Sequence, residues 1–228
     1  MNNFTAFGDR TALMQAAASR MAKAVTDAIV ARGAACLALS GGSTPEPAYS
    51  ALAAMRLDWQ SITLALVDER FVPPEDDASN EKMIQRAFAP AFAQGAQFKP
   101  MFFAASTVAQ AAVRAELLYA PLRIDLAVMG MGNDGHTASW FPGVAAHALD
   151  PDKQRAVIDV HAPHAAGSPD RLTLTRSAYN RAACGLLLIT GQDKRERVER
   201  AAGELIDTNP VAALFAPGAP ALEIFWAA

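Results

Sequence analysis

The feature that most constrains the fold is a short apolar run that stops at a glycine-rich segment. Residues 124–129 are mostly apolar, and residues 130–136, which read GMGNDGH, follow directly. Such a run is typical of a strand buried in a parallel sheet, where ligands bind at the carboxyl ends of the strands. The stretch therefore predicts a strand that ends at an active site, in which Asp134 and His136 supply proton-transfer chemistry near neutral pH.

Similar runs recur along the chain and alternate with helical patterns. Strands are predicted at about 35–39, 62–67, 100–104 and 157–160, within 169–175, and at about 185–189 and 222–226. Helices are predicted at about 10–32, 46–55, 80–88, 106–119, 177–183 and 194–205. Because short buried strands alternate with helices over the whole length, we predict an α/β fold. It is one domain over residues 1–228, with a mostly parallel Rossmann-like sheet and helices on both faces.

Composition narrows the class of function. Hydrophobic residues make up 52% of the chain and charged residues 19%, which indicates a well-filled core. The net charge of −3 gives no general attraction to nucleic acid or to an anionic membrane, and no apolar run is long enough to span a bilayer. No signal-peptide pattern is evident at the N-terminus, so a cytoplasmic location is expected. Nothing in the sequence indicates an oligomeric state.

The predicted strand at 35–39 leads into a turn that suits a phosphate group. Gly41 and Gly42 let an anion approach the backbone, and a helix is predicted to begin just beyond them. The N–H groups at a helix start are unpaired and lie at the positive end of the dipole, and Ser43 and Thr44 add hydroxyl donors. The alternative is an ordinary turn in which these hydroxyls only cap the helix.

Cationic residues elsewhere in the chain are candidates for the same ligand. Arg70 follows a predicted strand beside Asp68, which could orient it or act on the substrate. Arg171 points away from the apolar residues of its strand, and Lys194 lies in the first turn of a helix, where a bound anion would relieve its repulsion by the dipole. The alternatives are an ion pair of Arg70 with Asp68 or Glu69 and, for Lys194, a solvated face with Glu196 and Glu199 as partners.

The glycines of residues 130–135 also match G-x-G-x-x-G, the pattern of a dinucleotide site. A single match is weak, and Pro142 stops the long helix that such a site requires. A metal site at Asp134 and His136 is disfavoured because no third ligand follows at a recognisable spacing. A serine nucleophile is disfavoured because Ser139 lacks the G-x-S-x-G surroundings. A cysteine nucleophile is disfavoured because both cysteines are predicted to be buried. His136 remains as the candidate general base, with Asp134 or a backbone group orienting it. The alternative is a histidine that only caps a short helix.

Taken together, the motifs resemble those of the 6-phosphogluconolactonase family, part of a larger group that also holds glucosamine-6-phosphate isomerases and deaminases. The matching segments occur in the family's order and are 39–45, 67–70, 79–80, 130–139, 141–143, 171–175, Gly191 and Lys194. Trp140 stands where the family usually has leucine.

The resemblance implies hydrolysis of 6-phospho-D-glucono-1,5-lactone to 6-phosphogluconate in the oxidative pentose phosphate pathway, with a small sugar phosphate as partner and no metal or cofactor. It implies that His136 activates a water and that Asp134 orients the imidazole or the water. The implied phosphate ligands are Gly42, Ser43, Thr44, Arg70, Arg171 and Lys194. Further candidates for binding or orienting the substrate are Gly41, Asp68 and Gly132.

Two alternatives compete with the lactonase. Deaminases of the group usually have a non-basic residue where Arg70 stands and a glutamate where Phe141 stands, so both positions favour the lactonase. A sugar-phosphate sensor of the same fold would keep the phosphate ligands but could lose His136, so the presence of His136 favours an enzyme.

Overall fold

The computed structural model of the protein describes residues 3–201 and 203–228. The strands are β1 (Asn3–Phe7), β2 (Ala35–Leu39), β3 (Ile62–Leu66), β4 (Asp68–Arg70), β5 (Gln97–Phe98), β6 (Leu126–Met129), β7 (Val157–His161), β8 (Asp170–Leu174), β9 (Cys184–Thr190) and β10 (Ala221–Ala227). The helices are α1 (Arg10–Arg32), α2 (Glu46–Ala53), α3 (Asn80–Ala87), α4 (Ala89–Phe92), α5 (Val108–Tyr119), α6 (Ala146–Leu149), α7 (Arg176–Asn180) and α8 (Gln192–Ala201). Short 3₁₀ turns lie at Trp59–Ser61 and Pro210–Phe215.

The longest helix, α1, begins and ends where its sequence predicts. The Asp9 carboxylate accepts a hydrogen bond from the backbone N–H of Ala12 at 2.8 Å and so caps the first turn. Gly33 ends the helix with a φ of +78°, a conformation that glycine adopts without strain. Leu13 and Met21 lie on its buried face, which packs against the sheet.

Seven strands form one parallel sheet in the order β1-β10-β9-β6-β2-β3-β5. All residues of β2 and β6 are buried, as expected for the central strands of a sheet that helices cover. From β2 the chain builds outward to β3 and β5, and from β6 it builds outward to β9 and β10 on the other side. The strand order therefore reverses between β2 and β6, which is where sheets of this kind bind ligands. The prediction of a mostly parallel sheet flanked by helices is confirmed.

A second, antiparallel sheet has the order β4-β8-β7. Val67 joins the two sheets: its N–H donates to the Leu39 carbonyl at 3.0 Å, and its carbonyl accepts from the Leu174 N–H at 2.8 Å. The sequence did not predict this sheet, because the partner of residues 68–70 lies at residues 171–173, far along the chain. The consequence for the site is that the charges after β3 belong to a strand and not to a loop.

The edges of the parallel sheet differ from the prediction. Residues 100–104 are described and form no strand; the edge strand is instead β5, which pairs with β3 over two residues only. At the other edge β1, which was not predicted, pairs with β10. Edge strands are short and half-exposed, so their sequence pattern is weak. In the ranges 3–201 and 203–228 no helix is both long and apolar enough to cross a membrane.

Candidate active site

A cavity of about 320 Å³ lies at the carboxyl ends of β2 and β6, where the strand order reverses. The loops after these two strands line it together with β4, β8 and the first turn of α8. The sequence-predicted residues at its wall are Gly41, Gly42, Ser43, Thr44, Asp68, Arg70, Gly132, His136, Arg171 and Lys194. Asp134 is not part of the wall but bonds to His136. The fold thus brings together residues from distant parts of the chain.

The imidazole of His136 is held by Asp134. One Asp134 carboxylate oxygen lies 2.6 Å from Nδ1 of the ring and also accepts the backbone N–H of His136 at 3.1 Å. Burial alone would raise the pKa of the Asp134 carboxyl, but its bonds to His136 outweigh burial and lower that pKa. A carboxylate at Nδ1 selects the tautomer that carries its proton there, so Nε2 is the nitrogen able to accept a proton.

Gly132 lies directly beneath this imidazole. A Cβ atom at Gly132 would come within 2.2 Å of Cε1 and 2.3 Å of Nδ1 of His136. The Gly132 N–H also donates to the His136 carbonyl at 2.9 Å, which closes the turn. The helix that follows is α6, of only four residues and ten positions beyond His136. Gly132 therefore makes room for the histidine, and the dinucleotide alternative loses the helix it requires.

The turn after β2 has the features expected of an anion-binding loop. Gly42 has a φ of +93°, and α2 begins just beyond it at Glu46. No side chain of the described residues caps the first turn of α2. The hydroxyls of Ser43 and Thr44 are therefore not used to satisfy the helix, as the ordinary capped turn would require. The backbone N–H groups of this turn can donate to a bound anion instead.

Two arginines face each other across the antiparallel sheet. Arg70 of β4 and Arg171 of β8 are directly paired in register, and both line the cavity. Like charges in such a pair repel each other. Burial lowers the pKa of Arg171, an effect that Asp68 opposes and Arg70 reinforces. The buried Nε of Arg70 has no hydrogen-bond partner in the described part of the chain. An anion in the cavity would offset the repulsion between the two arginines.

Lys194 adds a third cation to the cavity wall. Burial lowers the pKa of its ammonium group, and the charge of Arg10 adds to the effect while Asp134 opposes it. Within residues 3–201 and 203–228, none of Arg70, Arg171 and Lys194 forms an ion pair with a carboxylate. The alternatives in which carboxylates neutralise Arg70 or Lys194 are therefore not realised.

The carboxylate of Asp68 accepts hydrogen bonds from two neutral side chains. One oxygen accepts the Ser139 hydroxyl at 2.6 Å, and the other accepts the side-chain amide of Asn80 at 3.3 Å. Asn80 also donates to the backbone carbonyl of Asp68 at 2.8 Å. Asp68 is 7% exposed and lines the cavity, so its remaining lone pairs can accept a substrate hydroxyl. Ser139 is 0% exposed and is not part of the cavity wall, so it acts as a partner of Asp68.

Phe141 lies between the histidine and one of the arginines. Its ring centroid is 4.6 Å from that of His136, and the guanidinium carbon of Arg171 lies 5.6 Å from the same centroid. The position that would carry the deaminase glutamate is therefore an aromatic wall of the cavity. This wall supplies no acid or base, and it packs against the imidazole and a cation.

Several residues of the cavity wall were not proposed from the sequence. They are Ser40, Pro45, Asn80, Gly130, Met131, Ala138, Phe141, Ala166 and Leu188. Asn80 had a usable signal, since it stands in a segment that matches the family. Ala138 has a φ of +47°, a strained value for a residue with a side chain, which only a structure reveals. Ala166 and Leu188 contribute shape and carry no chemical signal.

The family model described as glucosamine-6-phosphate isomerases/6-phosphogluconolactonase matches residues 8–226. The chain belongs to this family. The match includes every residue of the site described above.

Relatives within the family match almost the whole chain. A 6-phosphogluconolactonase from Rhizobium meliloti (strain 1021) is 41% identical over 232 residues, which cover 99% of this chain and 98% of the relative. One from Caulobacter vibrioides is 36% identical over 97% of this chain and 96% of the relative. The crystal structure of a 6-phosphogluconolactonase from Shewanella baltica OS155 superposes with a TM-score of 0.94 at 32% identity, covering 100% of this chain and 98% of that one.

Proposed function

We propose that the protein hydrolyses 6-phospho-D-glucono-1,5-lactone to 6-phospho-D-gluconate in the oxidative pentose phosphate pathway, with His136 activating the attacking water. Membership of the family and the lactonase relatives support the reaction class. One observation carries the mechanism: the cavity holds the Asp134–His136 pair and three cations that form no ion pair among the described residues. A proton acceptor beside an anion site is what a phosphorylated ester substrate requires.

The phosphate group binds to Arg70, Arg171 and Lys194 and to the N–H groups of residues 42–44. Arginine can bind phosphate in bidentate fashion, while lysine acts as a point charge. Asp68 and Asn80 bind sugar hydroxyls. Because the phosphate is remote from the reacting carbon, its binding energy orients the lactone carbonyl toward His136.

The imidazole moves one proton in each half of the reaction. Nε2 of His136 takes a proton from water as the oxygen attacks C1, and Asp134 stabilises the imidazolium that forms. The tetrahedral oxyanion then collapses and breaks the bond between C1 and the ring oxygen, which receives the proton from His136. The product is a carboxylic acid that ionises at neutral pH. The N–H groups of Gly132 and Gly135 are already bonded within the turn, so we give them no role at the oxyanion.

Release of acid provides the test. The protein is added to freshly generated phosphogluconolactone, and proton release is compared with spontaneous hydrolysis in the same buffer. We expect a rate proportional to protein concentration. A rate equal to the spontaneous one would refute the proposal.

Glucosamine 6-phosphate serves as the counter-substrate, with ammonia as the readout. We expect no ammonia, because Phe141 supplies no carboxylate for ring opening. Ammonia release would instead assign the cavity to the deaminase branch of the family.

A further inference from the structure

Glu69 is a fully buried carboxylate beside the cavity that the proposed reaction does not use. It is 0% exposed and stands between Asp68 and Arg70 on β4. Successive side chains of a strand point to opposite faces, so Asp68 and Arg70 reach the cavity while Glu69 points away from it. A carboxylate buried this deeply is costly unless donors surround it.

Four donors surround the Glu69 carboxylate, two on each oxygen. One oxygen accepts the backbone N–H groups of Arg70 and Asn80, both at 2.7 Å. The other accepts the backbone N–H of Glu81 at 2.7 Å and the hydroxyl of Ser79 at 3.1 Å. Through these four hydrogen bonds Glu69 links the first turn of α3 to β4.

Two of the residues that donate to Glu69, Arg70 and Asn80, also line the cavity. The side chain of Asn80 donates to Asp68 and lies against Gly41, where a Cβ would come within 1.8 Å of the Asn80 amide oxygen. The guanidinium of Arg70 donates to the carbonyl of Ala78, in the segment that leads into α3. One carboxylate outside the cavity thus links the arginine, the asparagine and the glycine turn.

We propose that Glu69 is a positioning residue: its carboxylate holds Arg70 and Asn80 at the cavity wall and thereby sets the affinity for phosphate-bearing ligands. The inference rests on the proposed function for the identity of the ligand. It assigns Glu69 no contact with substrate and no proton transfer.

The isosteric variant Glu69→Gln tests this directly. A carboxamide has one acceptor oxygen where Glu69 uses two, so in either orientation its NH₂ group faces two donors. We expect the Kd for 6-phosphogluconate, measured by calorimetry, to rise about tenfold or more, which is the effect of about 1.4 kcal/mol. The KM for the lactone should rise by a similar factor, and kcat should fall less, because His136 belongs to another loop.

Two matched controls separate positioning from loss of stability. Asp125 is also buried, accepts the backbone N–H of Cys36 at 2.8 Å and pairs with Arg32, but it lies before the amino end of β6, away from the cavity at the carboxyl ends of the strands. Asp125→Asn should lower the melting temperature and leave the Kd for 6-phosphogluconate unchanged. Should Glu69→Gln fail to fold, Ser79→Ala removes one donor and the cap of α3, and Thr107→Ala removes the equivalent cap of α5. Only Ser79→Ala should weaken binding.

The outcomes distinguish this inference from the proposed function. If the folded Glu69→Gln protein, or Ser79→Ala in its place, binds 6-phosphogluconate as the parent protein does, the positioning role is wrong even if the lactone is hydrolysed. If both members of a control pair weaken binding equally, Glu69 acts only through stability and the inference also fails. If the lactone is not hydrolysed, titration with inorganic phosphate still tests Glu69. A higher Kd for inorganic phosphate in Glu69→Gln, but not in the control variants, would then support the positioning role even though the lactone is not hydrolysed.

Discussion

The contact between Gly132 and His136 allows a sharp prediction for Gly132→Ala. The new Cβ would lie 2.2 Å from Cε1 and 2.3 Å from Nδ1 of the imidazole, and 2.7 Å from an oxygen of Asp134. Gly132 is not among the glycines with positive φ, so the backbone accepts alanine and the conflict is only with the side chains. Carbon atoms pack at about 3.5 Å or more, so the imidazole must move by roughly 1 Å.

A displacement of about 1 Å at a reacting group costs on the order of 10²-fold in rate. We therefore expect Gly132→Ala to lower kcat about a hundredfold. The KM should change little, because the proposed phosphate-binding residues lie outside this turn. Acid release from phosphogluconolactone measures both constants, and the ring signals of His136 in NMR spectra report the displacement itself.

A second alanine in the same turn serves as the comparison. At Gly130 the added Cβ would meet the Ser40 side chain, with the hydroxyl oxygen at 3.7 Å and the Ser40 Cβ at 4.0 Å, which are ordinary contacts. Gly130→Ala should therefore cost much less activity than Gly132→Ala. Equal losses would mean that the turn rejects any side chain. An undiminished kcat in Gly132→Ala would show that His136 is not the base in this position.

The remaining predictions concern three ionisable side chains. His136→Ala should lower kcat by roughly 10²–10⁴-fold and leave the Kd for 6-phosphogluconate nearly unchanged, and undiminished turnover would exclude it as the base. Arg70→Ala should raise KM more for the phosphorylated lactone than for an unphosphorylated one; equal effects would remove Arg70 from the phosphate site. Burial and the charges of Glu69 and Glu75 raise the pKa of Glu81 from 4.5 to about 7. The folded state thus holds this proton more tightly than the unfolded state, and stability falls as pH rises through that window. Glu81→Gln should raise Tm by several degrees at pH 8 but not at pH 4, and a shift of equal size at both values would contradict this reasoning.

The parts of the site that the sequence predicts are those with local signals. The turn at 41–44 and the segment 130–136 each follow a short apolar run, and both runs are strands in the structure. Asp134 and His136 are two positions apart, so their contact is almost guaranteed once the turn forms. The parallel sheet follows from the alternation of strands and helices.

The parts that the sequence does not predict depend on contacts between distant residues. The pairing of β4 with β8 sets Arg70 opposite Arg171, and no local pattern indicates this register. Glu69 resembles an ordinary charge at a strand end until its four donors are seen. Residues 100–104 look like a strand locally, but the sheet edge is occupied by β5. In each case the local sequence is compatible with more than one structure, and contacts between distant residues decide which one forms.

The direct pairing of Arg70 with Arg171 also bears on how long the protein survives in its folded form. Two neighbouring cations are tolerated best when an anion lies between them, so a bound anionic ligand would reduce the repulsion between Arg70 and Arg171. A ligand that binds only the folded state adds about 2.7 kcal/mol when present at a hundred times its Kd. The protein is therefore less stable without ligand than with ligand bound. Under the proposed function, the protein should therefore resist limited proteolysis better with 6-phosphogluconate than without it.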